Sequence, residues 1–261
     1  MKINGHYRTF KLILPDQTAE DIPLVFYTHG YGGGNLNKST ILDQFAETNK
    51  FALCIPQGLK DPKGKRSWNV GYPFQKGFKV NDIKDLCKLA SILQKKYHLS
   101  KKNTFFSGIS NGGELCYLLA YSKQKTFKAF ASISGLTLLW VYQKLTPQKI
   151  PFFAIHGTED RTSEWTGDLH NLGGWGAYLP VNIAIGNLVA NNRCLEERQE
   201  TIPSIDPKSN HRIIKHIYSH DNTSTDEVWL YEVIGGHHGT LSSDIHTGEE
   251  IWSFFKRHLK K

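Results

Sequence analysis

The 261 residues predict an α/β fold, a mostly parallel central sheet with helices on both faces, built as one domain over residues 1–261. Three observations predict it. Short apolar runs closed by turn residues, such as PLVFYTHG and FALCIPQG, read as strands covered on both faces. The segment DIKDLCKLASILQKKY spaces Ile83, Leu86, Ala90, Leu93 and Tyr97 at steps of three and four, which is one face of a helix. Strand-like and helix-like stretches then alternate toward the C-terminus, the order from which parallel sheets are built.

In chain order, Phe10, Leu12 and Leu14 alternate with Thr9, Lys11 and Ile13 as in an edge strand, and Pro15 stops the run. PLVFYTHG and FALCIPQG follow, then the helix carrying Ile83 to Tyr97. Further strands are predicted at NTFFSG, FKAFASISG, PFFAIHG and EVWLYEVIGG. The last helix opens on a capping-box pattern, Thr247 with Glu250, and sets Ile251, Phe254, Phe255 and Leu259 on one side. No internal repeat, low-complexity tract or long linker divides the chain. Four polar, Gly-rich segments, HGYGGG, GISNGG, HGTED and GGHHG, each follow a predicted strand, and ligands of parallel sheets gather at the carboxyl ends of strands.

Composition narrows the function classes. Lys and Arg number 32 against 24 Asp and Glu, a net charge of +8, but the basic residues are scattered. The densest cluster, KKYHLSKK at residues 95–102, reads as a solvated helix end, so no nucleic-acid partner is expected. Cys54, Cys87, Cys116 and Cys194 form no C-x-x-C pair and no metal-ligand spacing; no metal and at most one disulfide are expected. No apolar run approaches the roughly 18 residues of a membrane span, and MKINGHYRTF lacks the apolar stretch of a secretory signal. A soluble chain is expected, with the compartment open between cytoplasm and an exported location. The oligomeric state is not legible.

The chemistry centres on Gly108-Ile109-Ser110-Asn111-Gly112, a G-x-S-x-G pattern between a predicted strand and a predicted helix. Such a turn sets a serine on a tight strand-to-helix bend, and its glycines leave room where a side chain would clash. A serine hydroxyl is a poor nucleophile at neutral pH; it needs a histidine base, and the histidine needs a carboxylate to hold its tautomer. The order Ser, Asp or Glu, His is met by Ser110, Asp160 after PFFAIHG, and His237 after VWLYEVIGG. Glu159 is the rival carboxylate and His238 the rival base. His237 is preferred because it directly follows the Gly pair that closes the strand. His29 and His156, each before a glycine at a strand end, are expected to orient loops by hydrogen bonding.

Acyl transfer also needs donors aimed at an oxyanion. The backbone N–H of Asn111 is the first candidate, and HGYGGG at residues 29–34 points to the amide of Tyr31 as the second. A phosphate-binding reading of the Gly-rich loop is weaker, since neither a P-loop nor a dinucleotide fingerprint is present.

With these residues identified, PLVFYTHGYGGG, VNDIKDL, FFSGISNGGELCYLLAY, FAIHGTED, NNRC and YEVIGGHHG together resemble the polyhydroxybutyrate depolymerase-like esterases of the α/β-hydrolase superfamily, which include the feruloyl and acetyl xylan esterases of carbohydrate esterase family one. The resemblance runs from about residue 7 to the C-terminus. It implies an α/β-hydrolase fold and Ser110 as nucleophile, with Asp160, His237 and oxyanion donors Tyr31 and Asn111. It further implies no cofactor and a carbohydrate-linked ester as substrate. Where such proteins often read G-G-G-H before an aromatic, this chain has IGGHHGT. Trp165, Trp175 and Tyr178, in a stretch resembling the family's variable rim, and Trp68 in RSWNVGYPF are candidate surfaces for an aromatic acid or sugar ring. Anchoring a long loop is the alternative role. Cys194 has no evident disulfide partner. A polyhydroxybutyrate depolymerase-type esterase, a serine peptidase and a non-catalytic binding protein on the same scaffold stay open as alternatives.

Overall fold

A computed structural model describes residues 1–16, 21–220 and 226–260. Its main sheet has nine strands among the described residues: β1 (Phe10–Ile13), β2 (Leu24–Thr28), β3 (Ala52–Pro56), β4 (Thr104–Ile109), β5 (Phe130–Ile133), β6 (Phe152–Gly157), β7 (Glu196–Pro203), β8 (Arg212–Ser219) and β9 (Val228–Ile234). They lie in the order β7-β8-β9-β6-β5-β4-β2-β3-β1. The six central strands from β9 to β3 run parallel, while β1 at one edge and β7–β8 at the other are antiparallel.

Apolar runs at the centre are buried on both faces for the reason that made them readable. In β2, Leu24 and Phe26 face one core while Val25 and Tyr27 face the other. Helices α2 (Asp82–Tyr97), α3 (Asn111–Ala120), α4 (Leu139–Lys144) and α5 (Val181–Asn192) pack into the first core. Helices α1 (Asp43–Thr48) and α6 (Thr247–Arg257) pack into the second. In α2, Leu86, Leu89, Ala90 and Leu93 are buried, with Ile83 and Tyr97 half-buried at its ends, and Lys95 and Lys96 sit exposed in the last turn, where the helix dipole favours cations. No described helix is long and apolar enough to cross a membrane.

Two sequence expectations fail at α6. The cap position is His246, and Thr247 is already helical, its hydroxyl donating to Thr240 O at 2.8 Å. Glu250 instead pairs with Lys215 (2.9 Å) and accepts from the Tyr231 hydroxyl (2.9 Å), so partners across the fold displace the local capping box. Ile251, Phe254 and Phe255 are buried as expected, Phe255 stacking on Phe105 at 4.9 Å, but Leu259 lies past the helix end and is exposed. The antiparallel strands β7 and β8 also escape the sequence pattern. EERQETIP is polar from Glu196 to Thr201, because an edge strand exposed along almost all its length needs no apolar alternation.

One buried ion cluster secures the start of α2. Arg8 donates to Asp82 Oδ1 and Asp85 Oδ2, each at 2.6 Å, with all three side chains nearly inaccessible. Asp82 Oδ2 also accepts from the Asn69 backbone N–H at 2.6 Å, which ties the helix start to the segment at residues 67–75. Removing one member strands buried charge, a loss of about 3–5 kcal/mol. Arg8→Leu is therefore expected to destabilise the protein by an amount of that order in urea unfolding, with little change in m-value. A loss below about 1 kcal/mol would contradict the assignment.

Candidate active site

The site begins at the turn between β4 and α3. Ser110 adopts φ 54° and ψ −122°, a conformation that L-residues rarely hold, which lifts its side chain off the end of β4. The flanking glycines are required by space. A Cβ at Gly108 would collide with Thr28 Oγ1 and the backbone of Gly112, and one at Gly112 with the Thr28 carbonyl. Ser110 N–H donates to Ile133 O, and its own carbonyl accepts from Glu114 N–H, both at 2.8 Å, so the bend is held from β5 and from the first turn of α3.

The loop at residues 29–34 leaves β2 and passes close over the serine, where a Cβ at Gly30 would stand 3.1 Å from Ser110 Cβ. His29 pins the loop. Its Nδ1 donates to Gly30 O (2.7 Å) and its Nε2 accepts from Gly58 N–H (2.9 Å), and burial holds its pKa below the ordinary histidine value. Asn111 fastens the same region from the other side. Its side chain accepts from Trp68 N–H (2.7 Å) and donates to Trp68 O (3.1 Å), while Trp68 Nε1 donates to His29 O (2.9 Å).

Two further loops meet beyond β6 and β9. A Cβ at Gly157 would collide with Gly236 O, and Glu159 N–H donates to that same oxygen at 2.9 Å, so the two loops lie in direct contact. The contact brings Asp160 against a histidine, and that residue is His238. Its Nδ1 donates to Asp160 Oδ2 at 2.7 Å, and its Nε2 stands 3.0 Å from Ser110 Oγ. Asp160 is 3% exposed, and its Oδ1 accepts from the Thr162 and Ser163 N–H groups at 2.8 Å each. Burial alone would raise its pKa, but the hydrogen bonds from His238 and Ser163 outweigh it and hold the carboxyl below the ordinary range. Behind it, buried His156 donates from Nε2 to Ser163 O (2.7 Å) and lies 3.6 Å from Asp160 Oδ2; burial lowers its pKa.

A strained serine on a strand-to-helix bend, a histidine between it and a buried aspartate, and a parallel sheet with all three at its carboxyl rim agree with the comparisons to known proteins. A family model, that of the prolyl oligopeptidase family, matches residues 66–170. Feruloyl esterase D of Neurospora crassa is 25% identical over 280 residues, which span 98% of this chain and 83% of that one. A bifunctional acetylxylan esterase/xylanase of Neocallimastix patriciarum is 26% identical over 158 residues, 60% of this chain and 22% of that protein. An acetyl xylan esterase from Aspergillus awamori superimposes with a TM-score of 0.64 at 13% identity, over 96% of this chain and 94% of its own. The chain has an α/β-hydrolase fold.

Within this hydrolase fold the sequence-derived residues separate into those the structure gathers and those it does not. Ser110, Asp160, Tyr31 and Asn111 converge on the carboxyl rim, whereas His237 does not join them. Gly235, at φ 84°, and Gly236 form a turn closed by Gly236 N–H to Val233 O, and one more residue is needed before the chain re-enters the site. His237 falls at that outward position, exposed, its Nδ1 3.2 Å from Glu159 O and its ring edge-on to His211. His238 takes the inward place. Glu159, the rival carboxylate, is exposed.

A cavity of about 320 Å³ opens at Ser110, walled by Gly30, Tyr31, Tyr72, Glu114, Trp175 and His238 among others. Of the four proposed aromatic surfaces only Trp175 lines it. Trp68 is 0% exposed and holds the loop from beneath; Tyr178 is 2% exposed, its hydroxyl accepting from Glu164 N–H at 2.9 Å; Trp165 stands edge-on to His156. Long-loop anchoring accounts for all three. Tyr72 and Phe74, which sequence reasoning passed over, pack with Tyr31 and Trp175 at ring separations of 5.0–6.4 Å. They stand in the same RSWNVGYPF stretch as Trp68, so the aromatic signal was present and the choice of residue was wrong. Glu114 was also missed, although a lone acid in the apolar run NGGELCYLLA is a legible anomaly.

Two expectations follow. His238→Ala is expected to lower kcat by on the order of 10⁴-fold or more and His237→Ala by less than about tenfold, in steady-state ester hydrolysis; the reverse ranking would return the base to His237. Asp160, with its folded-state pKa depressed, contributes stability above the unfolded value of about 4 and loses it as pH falls through the folded one. The stability gap between wild type and Asp160→Asn is thus expected to stay constant between about pH 5 and 8 and to shrink below about pH 4. A gap that widens in acid would contradict the depressed carboxylate.

Proposed function

We propose that the protein is a serine carboxylic ester hydrolase working through an acyl-enzyme, with esterified plant polysaccharide, feruloylated or acetylated, as its substrate class. The observation that carries the reading is the continuous contact from Ser110 Oγ to His238 Nε2 (3.0 Å) and from His238 Nδ1 to Asp160 Oδ2 (2.7 Å). Ser110 Oγ attacks the ester carbonyl carbon as its proton passes to His238 Nε2. Asp160 accepts from Nδ1–H and stabilises the imidazolium that forms. The oxyanion is held by the backbone N–H groups of Tyr31 and Asn111. Asn111 heads α3, where the first N–H groups have no partner within the helix and the dipole favours negative charge. The intermediate collapses, the alcohol leaves with the proton from His238, and water activated by the same histidine releases the acid.

Substrate class rests on two supports. Feruloyl and acetylxylan esterases are among the relatives, and the cavity is walled by Tyr31, Tyr72 and Trp175, flat faces suited to an aromatic acid or a sugar ring. A neighbouring cleft of about 450 Å³ shares Tyr31 and Trp175 and adds Phe74, Lys63 and Lys65, room for the saccharide beside the acyl group. The prolyl oligopeptidase family match favours one other reading, a serine peptidase on the same machinery.

A substrate panel separates them. Methyl ferulate, acetylated xylan, hydroxybutyrate oligomers and a chromogenic peptide are compared by kcat/KM, beside 4-nitrophenyl acetate as the general ester. Release of ferulate or acetate from the first two at the highest kcat/KM is expected, with Ser110→Ala lowering turnover of 4-nitrophenyl acetate by on the order of 10⁴-fold or more while remaining folded. Preference for the peptide, or for hydroxybutyrate alone, would overturn the substrate class; an active Ser110→Ala would overturn the mechanism.

A further inference from the structure

Among the described residues, the mechanism leaves the one acidic side chain in the cavity wall unused. Glu114 lies one turn along α3 from the nucleophile, in the wall of the cavity that holds Ser110, yet it is 4% exposed. Its Oε1 accepts from the Tyr72 hydroxyl at 2.6 Å, and Tyr72 in turn accepts from Asn111 Nδ2 at 3.3 Å. Its Oε2 is buried and has no hydrogen-bond partner among the described residues. Burial disfavours the charged form and drives the carboxyl well above the ordinary range. With Oε1 already accepting from Tyr72, Oε2 is the oxygen left to hold the proton of the neutral form, and a buried O–H without an acceptor is costly.

A group retained at such a cost beside the reacting atoms has a use when the cavity is filled. We infer that Glu114 is a specificity-determining residue: its carboxyl donates a hydrogen bond from Oε2 to an oxygen substituent, a hydroxyl or ether, on the acyl group of the ester. The inference rests on the ester-hydrolase reading above and deepens it. The geometry favours the acyl group over bulk solvent as the acceptor, because Oε2 is buried in the wall of the cavity that holds Ser110. On the far side of Glu114 lies a void lined by Val70, Tyr117, Leu118, Leu136, Leu138 and Val141, without room for a water molecule. A site built to hydrogen-bond a substrate oxygen discriminates strongly against the analogue that lacks it, since the buried donor is then left unpaired.

The test compares matched esters by kcat/KM: methyl ferulate against methyl cinnamate, and 4-nitrophenyl 3-hydroxybutyrate against 4-nitrophenyl butyrate. In the wild-type protein at least one oxygenated ester is expected to exceed its deoxygenated partner by tenfold or more. Glu114→Leu, which removes the donor at similar volume, is expected to cut that ratio at least tenfold. Glu114→Gln, which keeps an acceptor for Tyr72 and an N–H donor, is expected to retain the ratio within threefold. Near-equal ratios in wild type for both pairs would overturn the inference without any variant. So would a Glu114→Leu protein in which both members of a pair fall together, the mark of a purely structural role. If no ester in the set is hydrolysed in a Ser110-dependent way, the failure lies with the proposed function, and the inference falls with it.

Discussion

The site depends on one strained residue. A serine at φ 54° and ψ −122° costs of order 1–3 kcal/mol relative to relaxed backbone, and it persists only where its surroundings leave no alternative. Those surroundings are specific: Gly108 and Gly112, which let β4 and α3 close on Thr28, and the hydrogen bond from Ser110 N–H to Ile133 on β5. Thr28 Oγ1 adds a bond to Ser107 O at 3.0 Å, so β2 takes part in fixing the bend. The strain serves exposure. A serine in relaxed strand or helix geometry would lie within the sheet plane or along the helix, out of reach of His238.

From that bend the constraint spreads through side chains that never meet a substrate. Asn111 grips both the N–H and the C=O of Trp68, and Trp68 reaches His29 O, so the Ser110 turn and the Gly-rich loop are positioned by one buried tryptophan. Gln75 organises the same segment, its Oε1 accepting from Val70, Gly71 and Tyr72 N–H groups at 3.2 Å and its Nε2 donating to Trp68 O at 2.8 Å. Asp82 links this segment to Arg8. The buried ion cluster at the start of α2 thereby shares a framework with the cavity wall.

On the opposite rim, backbone contact does the positioning. Gly157 and Gly236 touch where any side chain would separate the loops, and Ser134 Oγ donates to Gly239 O at 3.1 Å, just past His238. His156 adds a buried imidazole behind Asp160, a neutral support for the carboxylate's surroundings rather than a rival base. The aromatic wall of Tyr31, Tyr72, Phe74 and Trp175 draws on three loops far apart in the chain.

The amino-acid sequence by itself determined the parallel core, the order of strands and helices at its centre, and the presence of Ser110 and Asp160 at its carboxyl rim. Those features are written in local signals: unbroken apolar runs, three-and-four spacing, and glycines around a serine. Choosing between His237 and His238 required the tertiary structure. Adjacent residues at a turn point in opposite directions, and which one faces inward depends on how Gly235 and Gly236 close against Val233. The same reason governs the aromatics. Trp68 and Tyr72 sit four residues apart in one loop, and only packing against α3 decides that the first is buried as a brace and the second forms the cavity wall. The polar edge strands and the displaced capping box at Thr247 belong to that class as well, because exposure and cross-fold partners, not local pattern, set their structure.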